Sequence, residues 1–175
     1  MADFDTDYRY MEHNEDGAGL HQIVSDDPPG AHAISGINSA AYPEEYAAVA
    51  ALPQSQRGPA VEDFYRVHVW HQFENQLSDV IAERVLDMAV NSGPVTGVKV
   101  LQNAIYSLNP NQTVDGVWGP ATIQAANACD QDKLLAALRT ARLQHYKAIV
   151  AKHPGKAKYL GTEQNPGPWW IRALQ

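Results

Sequence analysis

Apolar residues recur along much of this chain at spacings of three and four residues, which is the period of an amphipathic helix. Several of these segments begin at or beside a proline, which the first turn of a helix accepts because its missing N–H would have no partner there. The pattern therefore predicts a mainly helical protein. The predicted helices are 43–51, 58–73, 78–91, a helix from Pro94 through Ile105, a helix from Pro120 to about Ala128, and a helix from Asp132 to His153.

The first segment of the chain carries an apolar stripe that ends in a carboxylate. Spacings of four, three and four residues separate Phe4, Tyr8, Met11 and Glu15. Glu15 therefore lies within about 20° of Phe4 around a helix. Glycines at positions 17 and 19 predict the end of that helix. A carboxylic acid on an apolar face is partly desolvated, and desolvation favours its neutral form.

Residues 19–38 break the helical pattern. The segment is rich in turn formers, with Asp26-Asp27-Pro28-Pro29-Gly30 at its centre and short apolar pieces on either side. This composition predicts an irregular loop or hairpin after the first helix, and we expect it to line a cleft. The tail, 165–175, is rich in aromatic residues, and we expect it to dock on the rest of the protein.

Length and composition fit one compact unit. The chain has 175 residues, of which 45% are hydrophobic, enough for one core or for two small fused lobes. A single cysteine, Cys129, excludes an intramolecular disulfide, so packing alone holds the fold. Cys129 lies among alanines, and we expect it to be a buried apolar residue.

Charge and motifs exclude several classes of partner. The formal net charge is -7 at pH 7, and no run of Lys or Arg forms the basic stripe that tracks nucleic-acid phosphates. The first residues lack a secretory signal pattern, and no apolar run is long enough to span a bilayer. No histidine spacing suits zinc, and no phosphate-binding loop or Gly-x-Ser-x-Gly turn is present. We therefore expect no nucleic acid, membrane span, metal or cofactor.

Three blocks of residues carry a resemblance to one family. The first comprises Glu15-Asp16-Gly17, Asp27-Pro28-Pro29-Gly30 and Gly36-Ile37-Asn38. The second comprises 87–94 (DMAVNSGP), Val100-Leu101-Gln102 and 115–122 (DGVWGPAT), and the third is 167–172 (GPWWIR). Together they resemble glycoside hydrolase family 108, a group of small muramidases from phages, prophages and bacteria, over residues 8–173. The Asp-Gly-x-x-Gly-Pro-x-Thr end of the second block also recurs in peptidoglycan-binding modules.

The resemblance implies a fold, a domain plan and an activity. It implies a mainly α, lysozyme-like helical fold with a small irregular or β-hairpin region after the first helix. It implies a catalytic lysozyme-like part, 1–92, and a helical peptidoglycan-binding part, 93–175, packed together as one compact unit. The implied activity is that of an endo-N-acetylmuramidase, which cleaves the β-1,4 bond between N-acetylmuramic acid and N-acetylglucosamine. Such hydrolysis needs a protonated acid and a second group that assists water or stabilises the transition state.

The catalytic roles follow the same resemblance, since the family is similar to phage lysozymes in which a Glu is followed by an Asp and a Thr. It implies that Glu15 is the general acid and that Asp27 or Asp26 is the second carboxylate, because the loop here is longer. The expected Thr is absent, and its position falls on His32 or Asn38. His32 can replace it as a neutral acceptor or second base. Asp before Pro is also ordinary turn chemistry, so both aspartates can be turn residues.

The candidates for substrate binding are Gly36, Asn38, Tyr65, Trp70 and Asn91. The first two lie in the block that resembles the family's Gly-Ile-Thr. Tyr65 and Trp70 can stack on sugar rings, although burial is the more frequent fate of an aromatic residue. Asn91 and Asp87 lie one helical turn apart and can face a cleft. Asn91 also fits a C-terminal cap, because Gly93 follows it closely.

The resemblance also implies partners and a place of action. The partner is the glycan strand of bacterial peptidoglycan, and the protein is expected to be a monomer and a bacteriolytic, endolysin-like enzyme. Made in the cytoplasm without a signal peptide, it acts on the cell wall in the periplasm or outside the cell, with a holin for release. Two alternatives stay open. One is a non-catalytic peptidoglycan-binding protein, and the other is a lytic transglycosylase, which needs no water-holding Thr.

Overall fold

The computed structural model describes residues 4, 5, 8, 9, 12, 19–26, 28–70 and 76–175. A small sheet precedes a series of helices. The strands are β1 (Ile23–Asp26), β2 (Ala31–Ile34) and β3 (Ile37–Asn38). The helices are α1 (Pro43–Ala50), α2 (Arg57–His68), α3 (Asp79–Ser92), α4 (Pro94–Leu108), α5 (Pro120–Ala128), α6 (Gln131–Lys152), α7 (Ala157–Leu160) and α8 (Pro168–Leu174), with 3₁₀ turns at Gln54–Gln56 and Pro154–Lys156. The predicted mainly helical class is confirmed.

The hairpin predicted after the first helix is, within the described residues, a three-stranded antiparallel sheet in the order β1-β2-β3. Asp26 pairs with Ala31 at the end of the first ladder, and Asn38 pairs with Ala33 in the second. Gly36 makes the second turn with a φ of 83°, a backbone conformation that glycine adopts without a Cβ clash. β1 and β3 flank β2 on opposite sides, and because their partners Ala31 and Ala33 are two residues apart on β2, Asp26 and Asn38 lie on the same face of the sheet.

One predicted helix boundary is wrong. The pattern predicts a helix over 58–73, whereas α2 ends at His68. Residues four apart lie above one another in a helix, so a continued helix would place Trp70 above the exposed Arg66. Leaving the helix buries the indole to 2% exposure, where its ring lies edge-on to Phe4 at 5.9 Å. Burial of a large aromatic therefore overrides the local helical period.

The centre of the core lies where α3 and α4 pack, as predicted, and α6 packs against both. A Cβ at Gly97 would lie 3.0 Å from the backbone N of Ala89 and from the backbone O of Val85. Glycine at this position therefore lets the two helices approach backbone to backbone. Fully buried apolar side chains of this core include Ile81, Val85, Leu86, Met88, Leu101, Ile105, Leu134 and Leu138.

The aromatic tail docks on α6, as predicted. Trp169 stacks on Tyr146 with ring centroids 5.1 Å apart. Ala173 is fully buried beyond it. The closing segment of the chain is therefore part of the folded unit.

A buried ionic cluster joins α3, α6 and α8. The Asp87 carboxylate accepts hydrogen bonds from Arg142 and Arg172, and the Asp87 and Arg142 side chains have no exposed surface. The interpretation that Asp87 faces a cleft beside Asn91 is therefore wrong. A carboxylate without solvent contact must be paired, and the two guanidinium groups turn Asp87 inward.

The predicted first helix is described in part. The described residues of that segment that are helical are Phe4, Asp5, Tyr8, Arg9 and Glu12. Phe4 and Tyr8 are buried, and their rings stack at 5.4 Å. The other two positions of the predicted stripe, Met11 and Glu15, lie outside the described residues.

The junction between the two predicted parts is tight. α3 ends at Ser92, and Gly93 with a φ of 88° separates it from α4. The division into 1–92 and 93–175 stays a prediction. Among the helices in the described ranges, none combines the length and apolar character that crossing a membrane would require.

Candidate functional site

A cleft of about 580 Å³ opens between the sheet and the helices α2 and α3. Five candidates from the sequence line it together, namely Asp26, Gly36, Asn38, Tyr65 and Asn91. They come from β1, β2–β3, α2 and α3, so the tertiary fold and not local sequence brings them together. Its remaining described lining residues are Pro28, Ala40, Ala41, Tyr42, Phe64, Val69, Ala89, Val90 and Gly93.

Asp26 and Asn38 form the polar centre of the described cleft wall. The Asn38 side-chain amide donates from Nδ2 to Oδ2 of Asp26 over 2.7 Å. Its Oδ1 accepts the backbone N–H groups of Ala40 at 2.8 Å and Ala41 at 3.2 Å. Asn38 thus fixes the carboxylate to the turn that leads into α1. A carboxylate held in a fixed orientation can stabilise positive charge that develops on a ligand beside it.

Tyr65 supports the sheet from below the cleft. It is 2% exposed, and its hydroxyl donates to the backbone O of Ser35 over 2.7 Å. Ser35 adopts a φ of 46°, a strained value for a residue with a Cβ. The bond from Tyr65 holds that turn, which places Gly36 and Asn38 at the cleft.

A buried histidine was not recognised from the sequence. His21 is 9% exposed, and its Nδ1 lies 2.8 Å from Oγ of Ser35. Its Nε2 lies 3.8 Å from Oε1 of Glu12. Arg57 donates to the backbone O of His21 over 2.9 Å. These contacts connect the N-terminal segment with the turn below the cleft. The sequence indicates one part of this connection, because the dipeptide Ser35-Gly36 is typical of a turn.

Asn91 lies at the far wall of the cleft. Its Oδ1 accepts from the hydroxyl of Tyr146 over 3.1 Å, so its side chain is oriented by α6. The sequence also suggested Asn91 for the C-terminal cap of α3. The residue at that cap is Gly93, which follows the last residue of α3 and has a positive φ.

The other sequence candidates do not meet in the described cleft. His32 is exposed on β2 and pairs with Ser25 of β1. Trp70 packs in the core rather than at the surface. Glu15 and Asp27 lie outside the described residues.

The loop of the second sequence block is closed around one buried amide. Gln102, 1% exposed, donates to Asp115 at 2.8 Å and to Thr122 at 3.0 Å. Its Oε1 accepts the N–H of Gly116 at 2.8 Å. The backbone N–H of Val117 and the Gln102 amide, as donors to the Asp115 carboxylate, lower the pKa of Asp115. The motif residues therefore serve loop closure, as Trp118 does through its bond to Gln76 at 3.0 Å.

Metal and thiol chemistry have little support in the described part of the chain. No group of three or more His, Cys, Asp or Glu residues is placed there to hold a metal ion. Cys129 is half-buried rather than fully buried, and burial raises the pKa of its thiol. A thiol of raised pKa is a poor nucleophile at neutral pH.

Comparisons with known proteins give a match to a protein family and matches to solved structures. Residues 96–163 match a family described as "Predicted Peptidoglycan domain". The structure of SagA from Brucella abortus is similar to this one, with a TM-score of 0.65 and 26% sequence identity over 88% of this chain and 86% of that chain. The sequence matches none of the curated proteins significantly.

These matches bear on fold and partner. The predicted lysozyme-like fold, mainly helical with a small antiparallel sheet near the N-terminus, is confirmed. Association with peptidoglycan is supported by the match in the C-terminal half. Neither the family match nor the match to SagA identifies one particular muramidase family.

Proposed function

We propose that this protein binds glycan strands of peptidoglycan in the cleft and cuts them at the β-1,4 bond that follows N-acetylmuramic acid. One observation carries the proposal. A carboxylate fixed by an amide, Asp26 with Asn38, lines an open cleft in a chain whose residues 96–163 match a peptidoglycan domain. A fixed carboxylate stabilises the positive charge that develops on a sugar ring as its glycosidic bond breaks.

Glu15 is the proton donor in this proposal. Its position at the end of the apolar stripe supports the role, and two described residues of that stripe, Phe4 and Tyr8, are buried. A glutamic acid beside such a face keeps its proton more readily than one in water. The leaving oxygen of the glycan needs that proton.

We infer that the cut proceeds as in a lytic transglycosylase. Among the described lining residues of the cleft, none is Ser or Thr. Asn38, one of the two positions where the resemblance expects Thr, already accepts two backbone N–H groups. The described wall therefore offers no aliphatic hydroxyl to hold a water, which favours a reaction that consumes none.

In this reaction the 6-hydroxyl of the muramic residue attacks its own C1. The bond from C1 to the leaving oxygen breaks, and that oxygen takes the proton of Glu15. The carboxylate of Glu15 then takes the proton of the attacking hydroxyl, so the acid is restored and the product ends in an anhydro ring.

Hydrolysis by a muramidase of glycoside hydrolase family 108 is the second candidate. Asp26 favours it, because a carboxylate in the cleft can activate a water. Asp27 remains a proposal for the same role, whereas His32 lies outside the described lining of the cleft. The match to a peptidoglycan domain names no reaction and agrees most directly with a binding role.

A non-catalytic role is the third candidate. The matching family is described by peptidoglycan alone and not by a reaction. A protein that binds strands in the cleft without cutting them would agree with that match.

Digestion of purified sacculi by the full chain, with mass spectrometry of new glycan ends, separates the candidates. Anhydro-muramic ends support the transglycosylase, and reducing muramic ends support the muramidase. Intact strands overturn cleavage by either route. Sedimentation with sacculi is measured in parallel, and binding without new ends identifies a binding protein.

The place of action follows from the same proposal. We propose that the chain is made in the cytoplasm and acts as a monomer on the wall in the periplasm or outside the cell. Release through a holin, as for a phage endolysin, belongs to this proposal. Fractionation of cells that express the full chain, with and without a holin, tests it.

A further inference from the structure

A second concave surface lies outside the cleft, in the segment that matches the peptidoglycan domain. It is a groove of about 700 Å³ between α4 and α6, called the α4–α6 groove below, and all its described lining residues fall within 96–163. Val100, Ala137 and Ala141 form its apolar floor. Nothing in the catalytic proposal uses this surface.

The charge of the α4–α6 groove differs from that of the protein as a whole. The chain has 20 acidic residues and a net charge of -7, yet none of the described residues that line the groove is Asp or Glu. Lys99 is the charged residue of that lining, and its charge also helps to lower the pKa of Asp115 in the neighbouring loop. The groove is therefore complementary to an anionic ligand.

Neutral hydrogen-bonding groups complete the lining. Asn103 and Gln144 present amides, and Thr140 presents a hydroxyl, all on exposed positions of α4 and α6. Within their helices, Nδ2 of Asn103 donates to the backbone O of Lys99 over 2.9 Å, and Oγ1 of Thr140 donates to that of Ala136 over 3.0 Å. His145 is half-buried and loses solvation, which lowers its pKa and favours the neutral imidazole. Amides, a hydroxyl and a cation around an apolar floor suit a peptide that carries carboxylates.

The groove and the cleft have lining residues that lie close together on α4 and just before it. Gly93 lines the cleft, and Thr96, one helical turn later on α4, lines the groove. Between them Oγ of Ser92 lies 3.2 Å from Nε2 of His145, which is itself a lining residue of the groove. In peptidoglycan the muramic residue carries both the glycan strand and the stem peptide, so a strand in the cleft brings its peptide to adjacent protein surface.

We propose that the α4–α6 groove binds the acidic stem peptide of peptidoglycan. This inference rests on the proposed function, because it takes the glycan to lie in the cleft. Lys99 pairs with a peptide carboxylate, and the amides of Asn103 and Gln144 bind the peptide backbone.

Calorimetric titration of the full chain with a free stem tetrapeptide tests the proposal. Lys99→Gln removes the cation, and the double variant Asn103→Asp, Gln144→Glu places negative charge in the groove. Each change should weaken tetrapeptide binding by about tenfold or more, as loss of a charge-assisted hydrogen bond does.

Matched controls carry the same changes at exposed positions outside the groove. Lys152→Gln removes a cation from the end of α6, and the double variant Gln56→Glu, Gln164→Glu adds the same charge. Both should bind the tetrapeptide as the wild type does. Circular dichroism confirms that each variant is folded.

Three outcomes overturn the proposal. They are no saturable binding by the wild type at millimolar tetrapeptide, equal losses in groove and control variants, and losses for a peptide-free glycan oligomer instead of the tetrapeptide. The titration does not depend on cleavage. Peptide binding with uncut sacculi would therefore remove the proposed catalysis alone, and cut sacculi without peptide binding would remove this inference alone.

Discussion

Arg172 lies three residues from the last residue of the chain, and its guanidinium Nε donates to Oδ1 of Asp87 over 2.9 Å across a sequence separation of 85 residues. Arg142 of α6 donates to the same carboxylate. Asp87 is thus the shared counter-charge of two cations, one of them without exposed surface. Arg172, the last residue of the third sequence block, therefore holds the C-terminal helix against the core.

Replacing Asp87 should be among the most destabilising single changes in this chain. Asp87→Asn keeps the shape but leaves two guanidinium groups without a counter-charge, and we expect the free energy of unfolding to fall by about 3–5 kcal/mol. Urea denaturation followed by circular dichroism measures it. Asp63→Asn, at an exposed position of α2, should change stability by less than about 0.5 kcal/mol. Equal effects of the two variants would contradict this account of the cluster.

Gln102 should matter for the loop 115–122 rather than for chemistry. Gln102→Leu removes donors to Asp115 and Thr122 and an acceptor for Gly116, so we expect a loss of about 1–3 kcal/mol in stability. Thermal unfolding measures it, and hydrogen exchange should show faster opening of that loop. Gln124→Leu, exposed on α5, is the control and should be nearly neutral. Unchanged exchange in the loop would show that Gln102 does not hold it.

Glu15 should be required for cutting and not for folding. Glu15→Gln cannot donate a proton, and we expect the rate of release of soluble fragments from sacculi to fall at least about 100-fold. Glu163→Gln, at an exposed loop position, should cut as the wild type does. Comparable rates in both variants would remove Glu15 from the mechanism.

Asp26 should contribute to the rate more than to binding. Asp26→Asn keeps a partner for Asn38 but removes the negative charge, and we expect kcat to fall about 100-fold with little change in KM, because the charge acts on the transition state. Kinetics on solubilised glycan strands measure both. Asp132→Asn, exposed at the start of α6, is the control. A change confined to KM would make Asp26 a binding residue only.

His145 should make stability depend on pH. Desolvation lowers its pKa in the folded state below the ordinary value of 6.5, so the unfolded chain binds the proton more readily. The contribution of His145 to the free energy of unfolding is therefore fully present above the pKa of the unfolded state. It is lost as the pH falls through that value toward the lower pKa of the folded state. His145→Asn should flatten the fall in melting temperature between about pH 7 and pH 5, whereas His153→Asn should keep the wild-type slope. An unchanged slope in His145→Asn would contradict this.

Local pattern was a good guide to the elements and a poor guide to their polar contacts. The period of α3 and α4 predicted the core, and the turn formers of 19–38 predicted the hairpin. The same period placed Asp87 one turn from Asn91. The helix was predicted correctly, but the position of Asp87 in a cleft was not, because Asp87 is buried. A period states which residues share a face, but it does not state what packs on that face.

The cleft shows the same limit. Asp26 and Asn38 were candidates because of a resemblance, and the sheet register brings their side chains within 2.7 Å. The contact of His21 with Ser35 carried no comparable sequence signal, because it joins two turns that are adjacent only after folding. Trp70 was a candidate for sugar stacking and lies in the core instead, since the chain leaves α2 to bury it.

The sequence by itself determined the helices, the hairpin and the docking tail, because these depend on apolar period, on turn residues and on the cost of exposing aromatic surface. The tertiary structure decided which carboxylate lines the cleft and which is buried. Asp26 ends a short exposed strand and faces the cleft, whereas Asp87 is enclosed by cations from 55 and 85 residues away. Side chains so distant in sequence meet only through packing, and packing sets the burial and charge on which their chemistry depends.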